Sequence, residues 1–188
     1  MSQHLIEPPG GVTDEDRADS LQQALPGRYC GACNLCCKVF IIEELQKPAG
    51  ELCQHAMIGE GCAIHAERPV TCRKFFCGWR VDPSLGPDWK PDVSGLVIWI
   101  ARHYAALMVT VDPNRPLAWT QSPYYGFLKN LSGHYFPQGK HVLVMNGAKA
   151  TIVLPDKDQP LGALGPGDKI VVTRNGRNFT AEVLKPAG

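Results

Sequence analysis

All eight cysteines of this 188-residue chain fall between Cys30 and Cys77, and the rest of the chain has none. The densest part reads Cys30-Gly-Ala-Cys33-Asn-Leu-Cys36-Cys37, and single cysteines follow it. A thiol is uncommon on ordinary surface, because its reactivity or its ligand chemistry usually decides where it is kept. Eight thiols in so short a stretch therefore indicate a covalent or a coordinate role, and this role constrains the fold.

Two roles compete for these thiols: disulfide bonds and metal coordination. Disulfides belong to oxidising compartments, whereas dense thiol patterns in intracellular chains are more often metal-binding or catalytic. Residues 1–20 lack the basic and apolar regions of a signal peptide, and the longest apolar run is far shorter than the ~20 residues that span a bilayer. We therefore expect a cytoplasmic protein with reduced thiols and no membrane segment. The adjacent pair Cys36-Cys37 cannot easily form a disulfide, which also favours metal.

The formal net charge of +1 at pH 7 gives the chain no strong electrostatic field. Proteins that bind nucleic acids usually carry basic patches, so we expect no clear nucleic-acid footprint. The sequence also lacks a phosphate-binding loop, a dinucleotide-binding glycine motif, a zinc-protease motif and a nucleophile turn. No substrate motif remains, and the sequence alone does not decide whether the chain is an enzyme.

The chain is predicted to have three parts: an N-terminal helix and tail (1–27), a cysteine module with a proline-rich connector (28–92) and a β-rich region (93–188). Thr13 is a suitable N-cap for the first helix, and Pro26-Gly27 would end it. Another short helix is expected from Arg68, because the following Pro69 suits the first turn of a helix.

The third part is expected to contain most of the regular structure. Segments 96–100 and 107–111 are β-branched and apolar, as in strands, and 123–135 is predicted to form one helix. Two hairpins are expected around Asn146-Gly147 and Asn175-Gly176, since Asn-Gly between apolar runs is a strong hairpin signal. The predicted fold class is α+β: a small loop-rich cysteine module with short helices, packed against a small antiparallel β-sheet or partial barrel.

Every thiol is a candidate metal ligand, and the set is Cys30, Cys33, Cys36, Cys37, Cys53, Cys62, Cys72 and Cys77. Thiolates suit zinc, iron–sulfur clusters and copper(I). The first three cysteines match the first three positions of a bacterial ferredoxin run, but Phe40 stands at the fourth. The evenly spaced triplet favours an iron–sulfur cluster (4Fe-4S) over zinc. Eight sulfurs suffice for two four-thiolate sites or for one site plus extra thiols, and the sequence does not partition them.

Four other side chains near the cysteines are candidates for supporting roles. His55 and His65 each follow a cysteine closely, and imidazole can replace a thiolate on iron or zinc, so both are additional candidate ligands. Arg68 and Arg73 flank Cys72 and could donate hydrogen bonds to bound sulfur, as cofactor-binding residues around the ligands. The alternative for each is an ordinary role: a hydrogen bond to the backbone or a solvated helix face.

Five segments of this region resemble a known family: Cys30-Gly-Ala-Cys33-Asn-Leu-Cys36-Cys37, Lys47-Pro-Ala-Gly50, Cys53-Gln-His55, Gly61-Cys62-Ala-Ile-His65 and Arg68-Pro-Val-Thr-Cys72-Arg73-Lys-Phe75-Phe-Cys77. They are similar to the CxxCxxCC family of zinc- or iron-chelating domains, the YkgJ-like cysteine cluster proteins, some of which are labelled iron–sulfur oxidoreductases. The resemblance covers about residues 28–80 and all eight cysteines. It implies a metal centre, iron–sulfur or zinc, and no settled reaction.

Three function classes follow from these observations. The first is an iron–sulfur protein with a redox or electron-transfer role, which implies a protein redox partner. The second is an interaction module folded by structural zinc, in which the β-rich region binds a partner. The third is a protein that stores or delivers a soft metal ion through its thiols. The cysteine spacing and the family resemblance favour the first class.

Overall fold

The computed structural model describes residues 2–6, 24–101 and 105–186. The helix predicted from Thr13 in the N-terminal tail falls almost wholly outside them. Residues 102–104, between the strands expected at 96–100 and 107–111, also lie outside the described residues.

Ten strands and five α-helices occur in the described part of the chain. The strands are β1 (Ser2–Ile6), β2 (Ala56–Met57), β3 (Gly61–Cys62), β4 (Leu96–Ala101), β5 (Ala106–Val111), β6 (His141–Asn146), β7 (Lys149–Val153), β8 (Asp158–Ala163), β9 (Lys169–Asn175) and β10 (Asn178–Leu184). The helices are α1 (Leu35–Val39), α2 (Val70–Lys74), α3 (Gly78–Val81), α4 (Pro91–Ser94) and α5 (Tyr124–Tyr135). Short 3-10 turns cover Glu43–Leu45, Pro87–Trp89, Ala118–Thr120 and Phe136–Gln138.

A five-stranded sheet in the order β4-β5-β6-β7-β8 forms the centre of the fold. Its neighbours are antiparallel except for β5 and β6, which run parallel with Val109 opposite Val144. All six residues of β5 are buried, because both faces of the sheet are covered. A strand buried on both faces needs a continuous apolar run rather than an alternating pattern, and β5 has such a run.

Each face of the central sheet packs against a different layer. On one face, Leu107, Val109 and Val144 pack with the long helix α5 through Tyr124 and Leu128. On the other face, residues such as Met108, Leu143 and Ile152 pack against the three-stranded sheet β1-β9-β10. The same second cluster includes Cys33, Leu35, Val39 and Cys77, so the cysteine module shares its apolar core with both sheets.

Two side chains join the three-stranded sheet to the edge of the central sheet. The Gln159 amide on β8 accepts a hydrogen bond from the Ala181 N–H (3.1 Å) and donates one to the Ala181 carbonyl. The Asp156 carboxylate accepts a hydrogen bond from the Phe179 N–H at 3.1 Å. Polar groups of β10 that face away from β9 are therefore satisfied by side chains rather than by another strand.

The predicted α+β class is confirmed, with short helices in the cysteine module and a mostly antiparallel sheet beside it. The strands expected at 96–100 and 107–111, the helix at 123–135 and both Asn-Gly hairpins are present. The parallel pair β5-β6 and the strands β1 and β8 were not foreseen. No helix within the described residues is long and apolar enough to cross a membrane.

Candidate metal centre

One cavity of about 100 Å³ is lined by every cysteine of the chain, together with aromatic and basic side chains. The thiols that line it belong to Cys30, Cys33, Cys36, Cys37, Cys53, Cys62, Cys72 and Cys77. All eight are free, and none forms a disulfide. The fold therefore brings together thiols that arrive from several short elements separated in sequence.

The first four cysteines come from one tight turn and the helix that follows it. The Cys33 N–H donates a hydrogen bond to the Cys30 carbonyl at 2.9 Å, and Gly31 between them has a positive φ of 50°. Glycine adopts this conformation without steric cost. Helix α1 then carries Cys36 and Cys37, half-buried on the cavity side.

Cys53 and Cys62 are placed by a loop and a small hairpin. The Cys53 N–H donates a hydrogen bond to the Cys37 carbonyl at 3.1 Å, which fixes the loop against α1. The Ala56 N–H in turn bonds to the Cys53 carbonyl at 2.9 Å, and Ala56 pairs with Cys62 across β2 and β3. This hairpin also packs closely on the first turn, because a Cβ at Gly61 would lie 2.4 Å from the Gly31 carbonyl oxygen.

Cys72 and Cys77 come from the two short helices at the end of the module. Cys72 lies within α2, and the adjacent Thr71 hydroxyl donates to the Glu44 carboxylate at 2.7 Å, which fastens α2 to the loop after α1. Cys77 is the N-cap residue of α3, and its carbonyl accepts a hydrogen bond from the Arg80 N–H at 2.9 Å. Cys77 is buried, whereas Cys72 is half-buried.

Two cations lie beside the thiols. The Arg80 guanidinium donates a hydrogen bond to the Cys30 Sγ over 3.6 Å and covers the ring of Phe76 with its Cζ 4.5 Å from the ring centroid. Lys47 is buried with 7% of its surface exposed, and its Nζ donates to the carbonyls of Lys38 and Phe40. A buried ammonium needs such partners, because an unpaired charge away from water is costly.

Burial and mutual repulsion raise the pKa of several thiols. Burial raises the pKa of Cys72 to about 11 and that of Cys77 to about 11, and neighbouring thiolates add to both shifts. A hydrogen bond between Cys36 and Cys37 raises the pKa of Cys36 well above its ordinary value and lowers that of Cys37 to about 7. The thiols of Cys36, Cys72 and Cys77 thus stay protonated at neutral pH unless a cation replaces the protons.

Aromatic rings shield the cavity from the central sheet. The Phe40 and Phe75 rings meet edge to face at 5.0 Å, and Phe40 contacts Trp99 of β4 at 5.9 Å between ring centroids. Phe75 and Trp79 both line the cavity and pack against the buried core. An apolar shell of this kind limits solvent access and lowers the local dielectric, which tunes the potential of a bound metal.

The other residues singled out from the sequence divide into two groups. His55, His65 and Arg68 line the cavity, and the Arg68 guanidinium donates to the His65 carbonyl rather than to a thiol. Arg73 is exposed on α2 and is not among the lining residues. Arg80 was missed, since its contact with Cys30 joins residues that are 50 positions apart in the sequence.

The donor set fits a soft metal in its chemistry, since thiolates are the ligands that zinc and iron–sulfur clusters prefer. Within the described residues, no group of three or more His, Cys, Asp or Glu side chains lies close enough to hold a metal ion. The thiols share one cavity without forming a closed coordination sphere.

Comparison with models of known protein families, with curated proteins and with solved structures found no match to this chain. The resemblance to YkgJ-like cysteine cluster proteins therefore stays a prediction from the sequence.

Proposed function

We propose that this protein binds a thiolate-ligated metal centre in the cysteine cavity, and that the centre is an iron–sulfur cluster with a redox or electron-transfer role. The observation that carries the proposal is the convergence of all eight free thiols on one cavity of about 100 Å³. Random placement of eight cysteines on a 188-residue chain would not collect them in this way.

The surroundings of the thiols also support a cluster. Cys33, Cys53 and Cys77 are buried, and the Phe40, Phe75 and Trp79 side chains complete an apolar wall. Solvent exposure, net charge and hydrogen bonds to sulfur set the reduction potential of such a cluster. Arg80 supplies a hydrogen bond of this kind to Cys30.

A bound cluster would supply the electron transfer. The residues of this chain would hold it through the thiolates, exclude water with the aromatic wall, and offset negative charge with Arg80 and Lys47. We further propose a reducing compartment, the cytoplasm, because eight free thiols close together would be oxidised elsewhere.

Structural zinc is the second candidate, and one observation favours it. The cysteine module has strands of two residues and helices of four or five residues. Isolated helices shorter than about 12 residues are marginal in water, so a module built from them depends on other links. A structural metal supplies such links, as in small zinc-folded domains.

Anaerobic purification of the full chain tests the proposal, with visible absorption and with analysis of iron, zinc and acid-labile sulfide. The expected result is a brown protein with broad visible absorption and stoichiometric iron and sulfide. A colourless protein with tightly held zinc would support the structural-zinc candidate instead. A protein that holds neither metal when expressed with both would refute the metal centre. A readily exchangeable metal would indicate metal storage or delivery.

A further inference from the structure

We infer that the eight thiols around the cavity close on two four-thiolate sites when metal binds, rather than on one. The first quartet is Cys30, Cys33, Cys36 and Cys77. The second quartet is Cys37, Cys53, Cys62 and Cys72. This inference rests on the proposed metal centre and adds the number of sites and the ligands of each. Both zinc and cubane iron–sulfur clusters take four thiolates, so eight thiols are the number that two sites require.

The first quartet is held together by the turn at Cys30 and by Arg80. The Cys33 N–H bonds to the Cys30 carbonyl at 2.9 Å, which sets these two residues on one turn. The Arg80 N–H bonds to the Cys77 carbonyl at 2.9 Å, while its guanidinium reaches the Cys30 Sγ at 3.6 Å. One arginine thus joins the beginning and the end of the cysteine region.

The second quartet is held together by a different chain of contacts. The Cys53 N–H bonds to the Cys37 carbonyl at 3.1 Å. Ala56 then bonds to the Cys53 carbonyl and pairs with Cys62 across the β2-β3 hairpin. These contacts connect Cys37, Cys53 and Cys62 without passing through Cys77 or Arg80.

Cys72 joins the second quartet through its neighbour. The Thr71 hydroxyl and N–H both bond to the Glu44 carboxylate, at 2.7 and 3.1 Å. Glu44 lies in the loop that the Ile42–Lys47 bridge closes directly after α1. Cys72 is therefore anchored beside the loop that Lys47 ends, and not beside the Cys30 turn.

Helix α1 explains how two sites can share one segment. Consecutive residues of an α-helix project about 100° apart, so Cys36 and Cys37 lead in different directions. Their side chains still share a hydrogen bond, and the β2-β3 hairpin packs on the Cys30 turn through Gly61 and Gly31. The two sites are therefore adjacent, with helix α1 and the contact of the β2-β3 hairpin with the Cys30 turn between them.

Each quartet also has its own cation. Arg80 contacts the first quartet through Cys30. The buried Lys47 interacts electrostatically with Cys53 and Cys37 of the second quartet more strongly than with Cys36 of the first. A four-thiolate site with zinc or with a cubane cluster is anionic, so a separate cation for each quartet is the arrangement that two sites favour.

Metal analysis of serine variants tests this partition in the full chain purified anaerobically. Cys33→Ser removes a ligand from the first quartet and Cys72→Ser one from the second. We expect each variant to lose about half of the bound metal and the double variant to lose all of it. Loss of all metal from a folded single variant, or no loss from either, would overturn the partition. A metal-free wild-type protein would instead refute the proposed function itself.

A second measurement leaves every thiol in place, in case a serine variant fails to fold. Metal release is followed with the chromophoric chelator 4-(2-pyridylazo)resorcinol. We expect two phases of equal amplitude in the wild type, and Arg80→Gln should accelerate only one of them, on the order of 10-fold, because partners of metal ligands contribute at that scale. The Arg177→Gln variant, at an exposed position in the turn between β9 and β10, is the matched control and should change neither phase. A single phase, or equal acceleration of both phases by Arg80→Gln, would contradict two sites.

Discussion

In the central sheet, β5 is buried along its whole length and hydrogen-bonded to strands on both sides. The cysteine module instead places two-residue strands and helices of four or five residues around a cavity. Its buried apolar side chains, such as Leu35, Val39 and Ile42, are few. The two regions are stabilised differently. Apolar burial and backbone hydrogen bonds between strands stabilise the sheet, whereas the module consists of short segments arranged around a cavity lined by thiols.

This difference shows why the module and the sheet lie together. Cys33, Leu35 and Cys77 belong to the same apolar cluster as Leu143 and Ile152 of the sheet. The cysteine module packs against the sheet and shares its apolar core, because the module's own segments are too short to enclose a core. The central sheet also has an apolar core on its other face, where its strands pack with α5.

The largest expected effect comes from removing the proposed metal. If thiolate–metal bonds order the module, stripping with a chelator under reducing conditions should abolish amide protection across α1, α2 and α3. Structural zinc contributes on the order of 10 kcal/mol to small domains, so the loss should be nearly complete. Strands β4–β7 should keep their protection. Hydrogen–deuterium exchange with peptide resolution measures both regions in one experiment. Equal loss of amide protection in both regions, or no loss in the module, would show that metal binding does not distinguish the module from the sheet.

A smaller effect is expected when a buried leucine of the central sheet is truncated to alanine, which leaves a cavity. Leu143 on β6 is fully buried, and Leu143→Ala should lower the free energy of unfolding by about 2–5 kcal/mol. The matched control is Leu184→Ala on β10, where the side chain is 48% exposed and the loss should be under about 0.5 kcal/mol. Urea denaturation followed by circular dichroism gives both values. Similar losses from the two variants would mean that sheet burial does not provide the stability assigned to it.

The pH dependence of the sheet gives an effect of similar or smaller size. Burial, with a contribution from nearby His4, lowers the pKa of His141 on β6 from 6.5 to about 4. The neutral imidazole is therefore favoured in the folded state, and the unfolded chain binds the proton first as the pH falls. The contribution of neutral His141 to the free energy of unfolding should be fully present above pH 6.5. It should fall by about 3 kcal/mol as the pH decreases to 4, since one pKa unit corresponds to ~1.4 kcal/mol.

Substitution of His141 separates its contribution to the pH dependence of stability from the contribution of the carboxyl groups, which also titrate in acid. His141→Gln should flatten the decline in stability between pH 6.5 and 4, whereas His134→Gln, at an exposed position on α5, should leave it unchanged. Urea midpoints at several pH values measure the slope. An unchanged slope in His141→Gln would show that the acid sensitivity arises elsewhere, for instance among the carboxylates.

Much of the fold could be predicted because its signals are local. The Asn-Gly turns and the apolar runs of β4 and β5 act within a few residues, and the structure contains all of them. Strand β8 was missed because Pro160 and Gly162 weaken its strand pattern. Proline is tolerated there because β8 is the edge strand of its sheet. The parallel pairing of β5 with β6 is set by tertiary packing, which no local pattern reports.

The site was predictable in composition and not in arrangement. Counting and spacing identified every cysteine that lines the cavity. The contacts that order them are long-range: Arg80 to Cys30, and Thr71 to Glu44. Lys47 was also missed as a partner of the thiols, because a lysine in a Lys-Pro turn ordinarily indicates a solvated loop. Its burial follows from the carbonyls that surround it in three dimensions.

The hydrogen bonds of Gln159 and Asp156 to β10 bear on how the edge of the three-stranded sheet can pair with another molecule. An open sheet edge offers unpaired N–H and C=O groups to a strand of another molecule, and such pairing leads to aggregation. Gln159 and Asp156 accept hydrogen bonds from the N–H groups of Ala181 and Phe179, so these two groups are not available to a strand of a neighbouring copy. The two residues thus shield part of this sheet edge from pairing with another molecule.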